Sequence, residues 1–214
     1  KVALRYDVSR TPAREAIVNL EKEGLLKIIP QSGTYVACIN CRRSEQEWFV
    51  RKSLEGEDYF CIASSFSNAP ALPILHSKDL VNWEILSYAL TDETKFDIKG
   101  MDTACGIWAP NLTYDNGTFY LIYTIVYTNR HRFKDTHNFM VTATDPQGPW
   151  SDPIPLNKMG FDPSLFHDPD GTKWLVNMLF DYRLDHKRFG GVGVQQYDPK
   201  TKKLVGPIYN VFKG

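Results

Sequence analysis

Two patterns of apolar and polar positions divide the chain near residue 55. Before that point Ala16, Ile17, Leu20 and Leu25 recur at helical spacing, and Gly24 marks where the stripe ends. Ser9 or Thr11 can cap such a helix, Pro12 suits its first turn, and Glu15 lies in the N-terminal region where carboxylates are favoured. The stretch "LLKIIPQSGTYVA" then predicts two short strands around a Pro-Gln-Ser-Gly turn. Helix followed by hairpin reads as the end of a winged helix. From residue 56 onward the pattern changes to short apolar and aromatic runs bounded by Gly, Pro, Asn and Asp, which predicts β structure.

The β-rich part repeats itself. "APNLTYDNGTFYLIYT" from Ala109 and "DPSLFHDPDGTKWLVNM" from Asp162 share a Pro, a Leu two positions on, an Asp-containing turn with Gly, and an aromatic-aliphatic strand. Their continuations, "NFMVTATDPQGPWSDPIPL" and "GVGVQQYDPKTKKLVGPIYNV", also correspond. A period of about fifty residues is that of a four-stranded β-propeller blade. "DYFCIASSFSNAPALPILHSKDLVNWEIL" reads as the later three strands of a preceding blade, whose first strand is replaced by the segment ending near Glu55. This amounts to roughly three blades, where a closed propeller needs at least about four.

The repeat isolates one residue. Asp162 opens an inner strand at the position that Ala109 occupies one repeat earlier, so the architecture does not ask for a carboxylate there. A carboxylate at such a place costs stability unless it is hydrated or hydrogen-bonded. It is either a polar cap on the strand or a channel-facing acid in a binding site. Asp168, Asp170, Asp115 and Asn116 read as turn residues, and His76 and His167 as strand-end and turn residues.

Composition adds little to this but excludes some classes. The hydrophobic content of 43% supports a core and rules out a disordered chain. Net charge is zero overall, with 10 Lys/Arg against 7 Asp/Glu in residues 1–55, so only the first part leans basic. Cys38 and Cys41 form a lone C-x-x-C without a second pair, which reads as ordinary thiols; no metal or cofactor is expected. There is no signal peptide and no apolar run of bilayer length, so neither a membrane partner nor export is expected, and the cytoplasm is. The chain opens on Lys1, so the start of the natural product is expected upstream.

Two resemblances follow from these residues. "VSRTPAREAIVNLEKEGLL" and "PQSGTYV" resemble the winged helix-turn-helix of GntR-type regulators, of the fatty-acid-regulator subgroup. That resemblance implies that Arg10, Thr11 and Arg14 face DNA, with Gly33 at the tip of the wing; Arg at the start of a recognition helix suits major-groove contacts. Without the resemblance these would be solvated charges on an amphipathic helix. "NCRRSEQEWFVRKSLEG" resembles the linker and first helix of that subgroup's sensor domain.

"SSFSNAPALPILHSKDLVNWEIL", "GIWAPNLTY" and "GFDPSLFHDPDGTKWLVNML" resemble glycoside hydrolase family 43, in its β-xylosidase and α-arabinofuranosidase group. The resemblance implies a five-bladed propeller that inverts the anomeric centre with a base Asp, an acid Glu and a third Asp that tunes the acid. Asp162 matches the third, while Trp108, Phe161 and Phe66 match positions lining the sugar subsite; core packing is the alternative for each ring. Where the base is expected, this chain has "EWFVRKSLEGEDYF", and the acid is expected beyond residue 214. The fold class predicted is therefore mainly β, an incomplete five-bladed propeller of about three blades behind a small α+β winged-helix segment. The divisions are 1–37, 38–55 and 56–214. The predicted function is inverting hydrolysis of xylan- or arabinan-derived oligosaccharides, this chain being a fragment expected to be inactive alone. The competing reading is a DNA-binding regulator that uses the propeller to sense sugar.

Overall fold

The computed structural model describes residues 9–22, 26–29, 33–36, 58–102, 104–130 and 133–213. The chain divides into two units, Lys1–Phe49 and Val50–Gly214. The predicted boundary between sensor-like segment and propeller, like Cys38, Cys41, Glu55 and Glu57, lies outside the described residues.

In the first unit, helix α1 (Arg10–Lys22) is followed by strands β1 (Leu26–Ile29) and β2 (Gly33–Val36), which pair antiparallel with Ile29 opposite Gly33. Ser9 stands immediately before the helix, and the helix ends two residues short of Gly24, as the pattern predicts. Glu15 is a correction. The first turn carries no acidic residue, so Glu15 lies too far along to meet the free N–H groups there. Glu21 ties helix to hairpin instead, its Oε1 accepting from the Ile28 amide at 2.9 Å.

The second unit is three antiparallel sheets in chain order. The first has three strands, β3 (Tyr59–Ile62), β4 (Ala71–Ser77) and β5 (Glu84–Leu90). The second has four: β6 (Gly106–Asp115), β7 (Thr118–Arg130), β8 (Phe133–Ala143) and β9 (Ile154–Pro155). The third also has four: β10 (Gly160–His167), β11 (Lys173–Phe180), β12 (Phe189–Asp198) and β13 (Lys203–Phe212). Each sheet is a simple meander, and its strands correspond one to one with the repeat read from the sequence. The first sheet has three strands among the described residues, and they correspond to the later three strands of the repeat.

Strand β7 explains why consecutive blades stay together. Leu121, Tyr123 and Ile125 pack into a core shared with Ala71, Leu72 and Ile74 of the first sheet. Ile122 points the other way, into a core with Leu165, Leu175 and Tyr197 of the third. Successive strand residues face opposite sides, so one unbroken apolar run serves two interfaces. Each fully buried Leu or Ile there contributes about 1.5–3 kcal/mol. The turn leading into β7 carries Asn116 and Gly117 at φ 47° and 78°, the left-handed pair of a two-residue hairpin.

Candidate functional site

Asp162 and Ala109 share a local geometry that few non-glycine residues adopt. Their φ angles are 54° and 39°, and each sits where its inner strand shifts register against the next, between Phe161 and Ser164 and between Trp108 and Asn111. The bulge therefore belongs to the blade, and only the side chain differs. It turns the residue out of the ladder, and Asp162 is exposed while the Pro163 that follows is buried.

The Asp162 carboxylate makes no hydrogen bond or ion pair with a described residue. Displaced solvent around it pushes its pKa above the ordinary carboxylate value. Among the described residues it is positioned by backbone. Directly before it, Phe161 meets Trp108 edge to face, with ring centroids 5.9 Å apart at 84°. Phe161 also packs on Phe180 at 6.0 Å, and Phe180 on Tyr182 at 5.0 Å. The Trp108 indole is fixed by donating Nε1–H to the Ala104 carbonyl at 3.1 Å.

Phe66 reaches this region through its backbone. It forms an antiparallel bridge with Ile107, at 3.0 and 2.9 Å, and its side chain is exposed. The approach requires Gly106: a β-carbon there would stand 2.2 Å from the Phe66 carbonyl oxygen. Phe66 makes no ring contact with Trp108 or Phe161, so the structure pairs two of the three predicted rings and sets the third beside them. In the other unit, Thr11 and Arg14 are exposed on α1, Arg10 opens that helix, and Gly33 opens β2.

Residues not singled out in the sequence complete the surroundings. Lys134, on β8, places Nζ 5.1 Å from the Trp108 ring centre and 5.9 Å from that of Phe161. Its ammonium donates to Asn129 Oδ1, and its carbonyl accepts from Tyr182 Oη at 3.0 Å. A ladder of buried and half-buried polar side chains adjoins the start of β10. Thr124 Oγ1 donates to Asn138 Oδ1 at 2.6 Å, and Asn138 Nδ2 donates to Asn157 Oδ1 at 2.8 Å and to the Gly160 carbonyl at 3.2 Å. Asn157 in turn donates to Asn177 Oδ1 at 3.0 Å. This ladder fixes the start of β10 against β7, β8 and β11, so it positions Asp162. Its one sequence signal was an Asn inside the apolar run "NFMVTATD".

The two histidines play larger parts than strand-end capping. His167 accepts from Lys173 Nζ at Nδ1, 2.9 Å away, which requires a neutral ring whose Nε2–H donates to Thr113 Oγ1 at 2.8 Å. Burial, aided by the Lys173 charge, holds its pKa down to about 4. Asp115 is more than a turn residue, since it meets Lys173 Nζ at 2.5 Å and so joins the second and third blades. His76, in contrast, faces two carboxylates, Asp58 at 2.7 Å and Glu84 at 3.3 Å, and the Asp58 hydrogen bond raises its pKa above 6.5.

Described residues line concavities away from the aromatic pair. One of about 290 Å³ is lined by His76, Asp79, Trp83 and neighbours, and one of about 430 Å³ by Asp97, Met101, Tyr127 and neighbours; neither contains Asp162. Among the described residues no cluster of His, Cys, Asp and Glu could hold a metal ion, and no helix is long and apolar enough to cross a membrane.

Comparison with known proteins adds the following. Residues 46–214 match the family "Glycosyl hydrolases family 43", and residues 1–36 match "Bacterial regulatory proteins, gntR family". Over 159 residues the chain is 50% identical to xylosidase/arabinosidase 43B of Humicola insolens and 47% identical to a β-xylosidase of Bacillus subtilis (strain 168). Each alignment covers 74% of this chain and 30% of the relative. The crystal structure of xylan β-1,4-xylosidase from Bacillus halodurans C-125 superposes with a TM-score of 0.73 at 52% identity, over 75% of this chain and 31% of that one. The chain thus spans about 30% of the length of these curated relatives.

Proposed function

The chain belongs to glycosyl hydrolase family 43 through residues 46–214, its three sheets being blades of a five-bladed β-propeller, and from that premise we propose that its site binds xylo- or arabino-oligosaccharides for inverting hydrolysis. In this reading Trp108 and Phe161 form the sugar platform, with Phe66 at its edge. Ring faces and edges complement the alternating apolar faces and hydroxyl rims of a pyranose.

Asp162 is the modulating carboxylate. A fixed carboxylate near a general acid disfavours ionisation of that acid, which then stays protonated until it donates to the leaving oxygen. An inverting pair needs its acid and base about 6.5–9.5 Å apart, with a water between them. Asp162 is neither member of that pair; it acts on the acid's proton. The observation that carries this role is its placement: an unpaired, partly desolvated carboxylate on a bulge whose repeat-mate is alanine, one residue from the aromatic pair. Where the base is expected the sequence carries "EWFVRKSLEGEDYF" instead. Hydrolysis of an aryl xyloside or arabinofuranoside by this chain should therefore stay at background while oligosaccharide binding persists. Clear turnover would overturn the assignment, and absence of binding would overturn the site.

The match of residues 1–36 supports a second activity, DNA binding through the start of α1, with Arg10, Thr11 and Arg14 on the duplex and Gly33 at the wing. Retardation of palindromic DNA that weakens steeply with salt, and is relieved by xylose or arabinose, is the expected result. No retardation at low salt removes this reading.

A further inference from the structure

The β7–β8 hairpin extends past the start of the inner strand: Gly106 pairs with Val126, yet β7 continues to Arg130 and returns through Phe133. This overhang carries Lys134 over the Trp108–Phe161 pair. The loop between β11 and β12 meets it from the third blade, through the Tyr182 hydroxyl on the Lys134 carbonyl. The same loop carries Arg188, whose carbonyl accepts from the Asp181 amide at 2.8 Å. Arg188 lies close enough for its charge, together with burial, to hold the Lys134 pKa below its ordinary value.

Lys134 and Arg188, from different blades, are thus electrostatic neighbours. The one described hydrogen-bond acceptor for the Lys134 ammonium is a neutral amide, Asn129. Neither Lys134 nor Arg188 forms an ion pair among the described residues. The nearby acids are engaged elsewhere: Asp181 with Arg183 at 2.5 Å and His186 at 3.3 Å, and Asp135 with His137 at 2.8 Å. An ammonium partly dried beside aromatic rings, with a second cation nearby, favours the approach of an anion, although the ring faces offset part of its charge.

We propose that the Lys134–Arg188 rim receives a carboxylate carried by the oligosaccharide, so that the site prefers acidic, uronate-bearing xylo-oligosaccharides over neutral ones. The inference rests on the sugar-binding reading above and adds the substrate class. Arginine supplies a planar fork for the carboxylate and lysine a point charge. Trp108 and Phe161 hold the neutral part of the chain.

The test is calorimetric titration of the 214-residue protein with xylotetraose and with xylotetraose bearing one glucuronic acid branch. At low ionic strength the acidic ligand binds about tenfold more tightly, and the ratio shrinks at about 0.5 M salt as the charges are screened. In Arg188→Gln and in Lys134→Met the ratio of the two affinities falls toward one, whatever either change does to the neutral ligand. Arg188 is exposed, so its variant retains the fold, which circular dichroism checks. Equal affinity for both ligands in the wild type, or a salt-independent ratio, overturns this proposal and leaves the sugar site standing. Failure of both ligands to bind overturns the sugar site and this proposal with it.

Discussion

Ala109 and Asp162 occupy the same bulge in successive blades, both in the left-handed region of backbone space, at φ 39° and 54°. One carries a methyl group and the other a carboxylate, so fold and chemistry separate at this pair. Asp162→Ala should change unfolding free energy by less than about 1 kcal/mol in chemical denaturation, because the fold already accepts alanine at this bulge. Asp162→Gly should be more stable than Asp162→Ala, since glycine removes the left-handed penalty of about 1 kcal/mol. In an NMR titration the Asp162 carboxyl should have its midpoint above the ordinary 3.8. A loss beyond about 2 kcal/mol on substitution with alanine would make the carboxylate a structural group instead.

Gly160 opens β10 at φ 146°, and a β-carbon there would stand 1.9 Å from the Met178 carbonyl oxygen. The obstacle is backbone, so nothing flexible can move aside. Gly160→Ala should lower the thermal midpoint by several degrees, a cost of about 2 kcal/mol or more, and should weaken sugar binding because Asp162 and Phe161 follow directly. Gly171→Ala is the control. It has positive φ but open space around it, so it should pay the conformational term alone. Equal effects of the two changes would refute the close-approach argument.

His76 and His167 should push stability in opposite directions with pH. For His76 the folded pKa is raised, so its stabilisation is present below 6.5 and is lost as pH rises through the folded value. For His167 the folded pKa is lowered to about 4, so the unfolded chain takes up the proton first, and stability falls as pH drops from 6.5 toward 4. Urea denaturation at several pH values should show His167→Gln flattening the acid limb and His76→Gln flattening the slope above neutrality. The same direction of change in both variants would contradict the assigned protonation states.

Lys173 is buried and meets Asp115, with 27% of the Asp115 side chain exposed. Asp115→Ala leaves that ammonium without its acid and should cost about 2–4 kcal/mol, somewhat below a fully buried pair. The Lys173→Met/Asp115→Ala double variant should recover much of this loss, because no charge is left stranded. Equilibrium unfolding of the set tests it, and a double variant no better than Asp115→Ala alone would mean that the pair does not bridge the blades as described.

Trp108→Ala should weaken xylo-oligosaccharide binding at least about tenfold, since it removes the platform and the edge-to-face partner of Phe161, worth about 0.5–1.5 kcal/mol beyond its area. Phe66→Ala should have a smaller effect, because only its backbone joins the site. The comparison is made by calorimetry, and a larger loss at Phe66 would reverse the order of the platform.

Much of this protein was legible in its sequence because blades are local. Each sheet is a meander of consecutive strands, so hydrophobic runs and Asp/Gly turns were enough to count them and to align Ala109 with Asp162. Trp108 and Phe161 were singled out by a family resemblance, and their edge-to-face contact came from the fold. Lys134, Arg188, Tyr182 and the Asn138–Asn157–Asn177 ladder did not. Each is an ordinary polar or aromatic residue in its own segment and acquires a role only through partners 19 to 54 positions away or on another blade.

The sequence by itself determined the blades, their order and the one carboxylate the fold does not require. Their periodicity and turn chemistry act over a few residues and need no knowledge of neighbours. The tertiary structure alone decided the opposite shifts of His76 and His167, the bulge that presents Asp162, and the approach of Lys134 to an aromatic pair. Those depend on burial and on distances between blades, and a linear order of residues encodes neither directly.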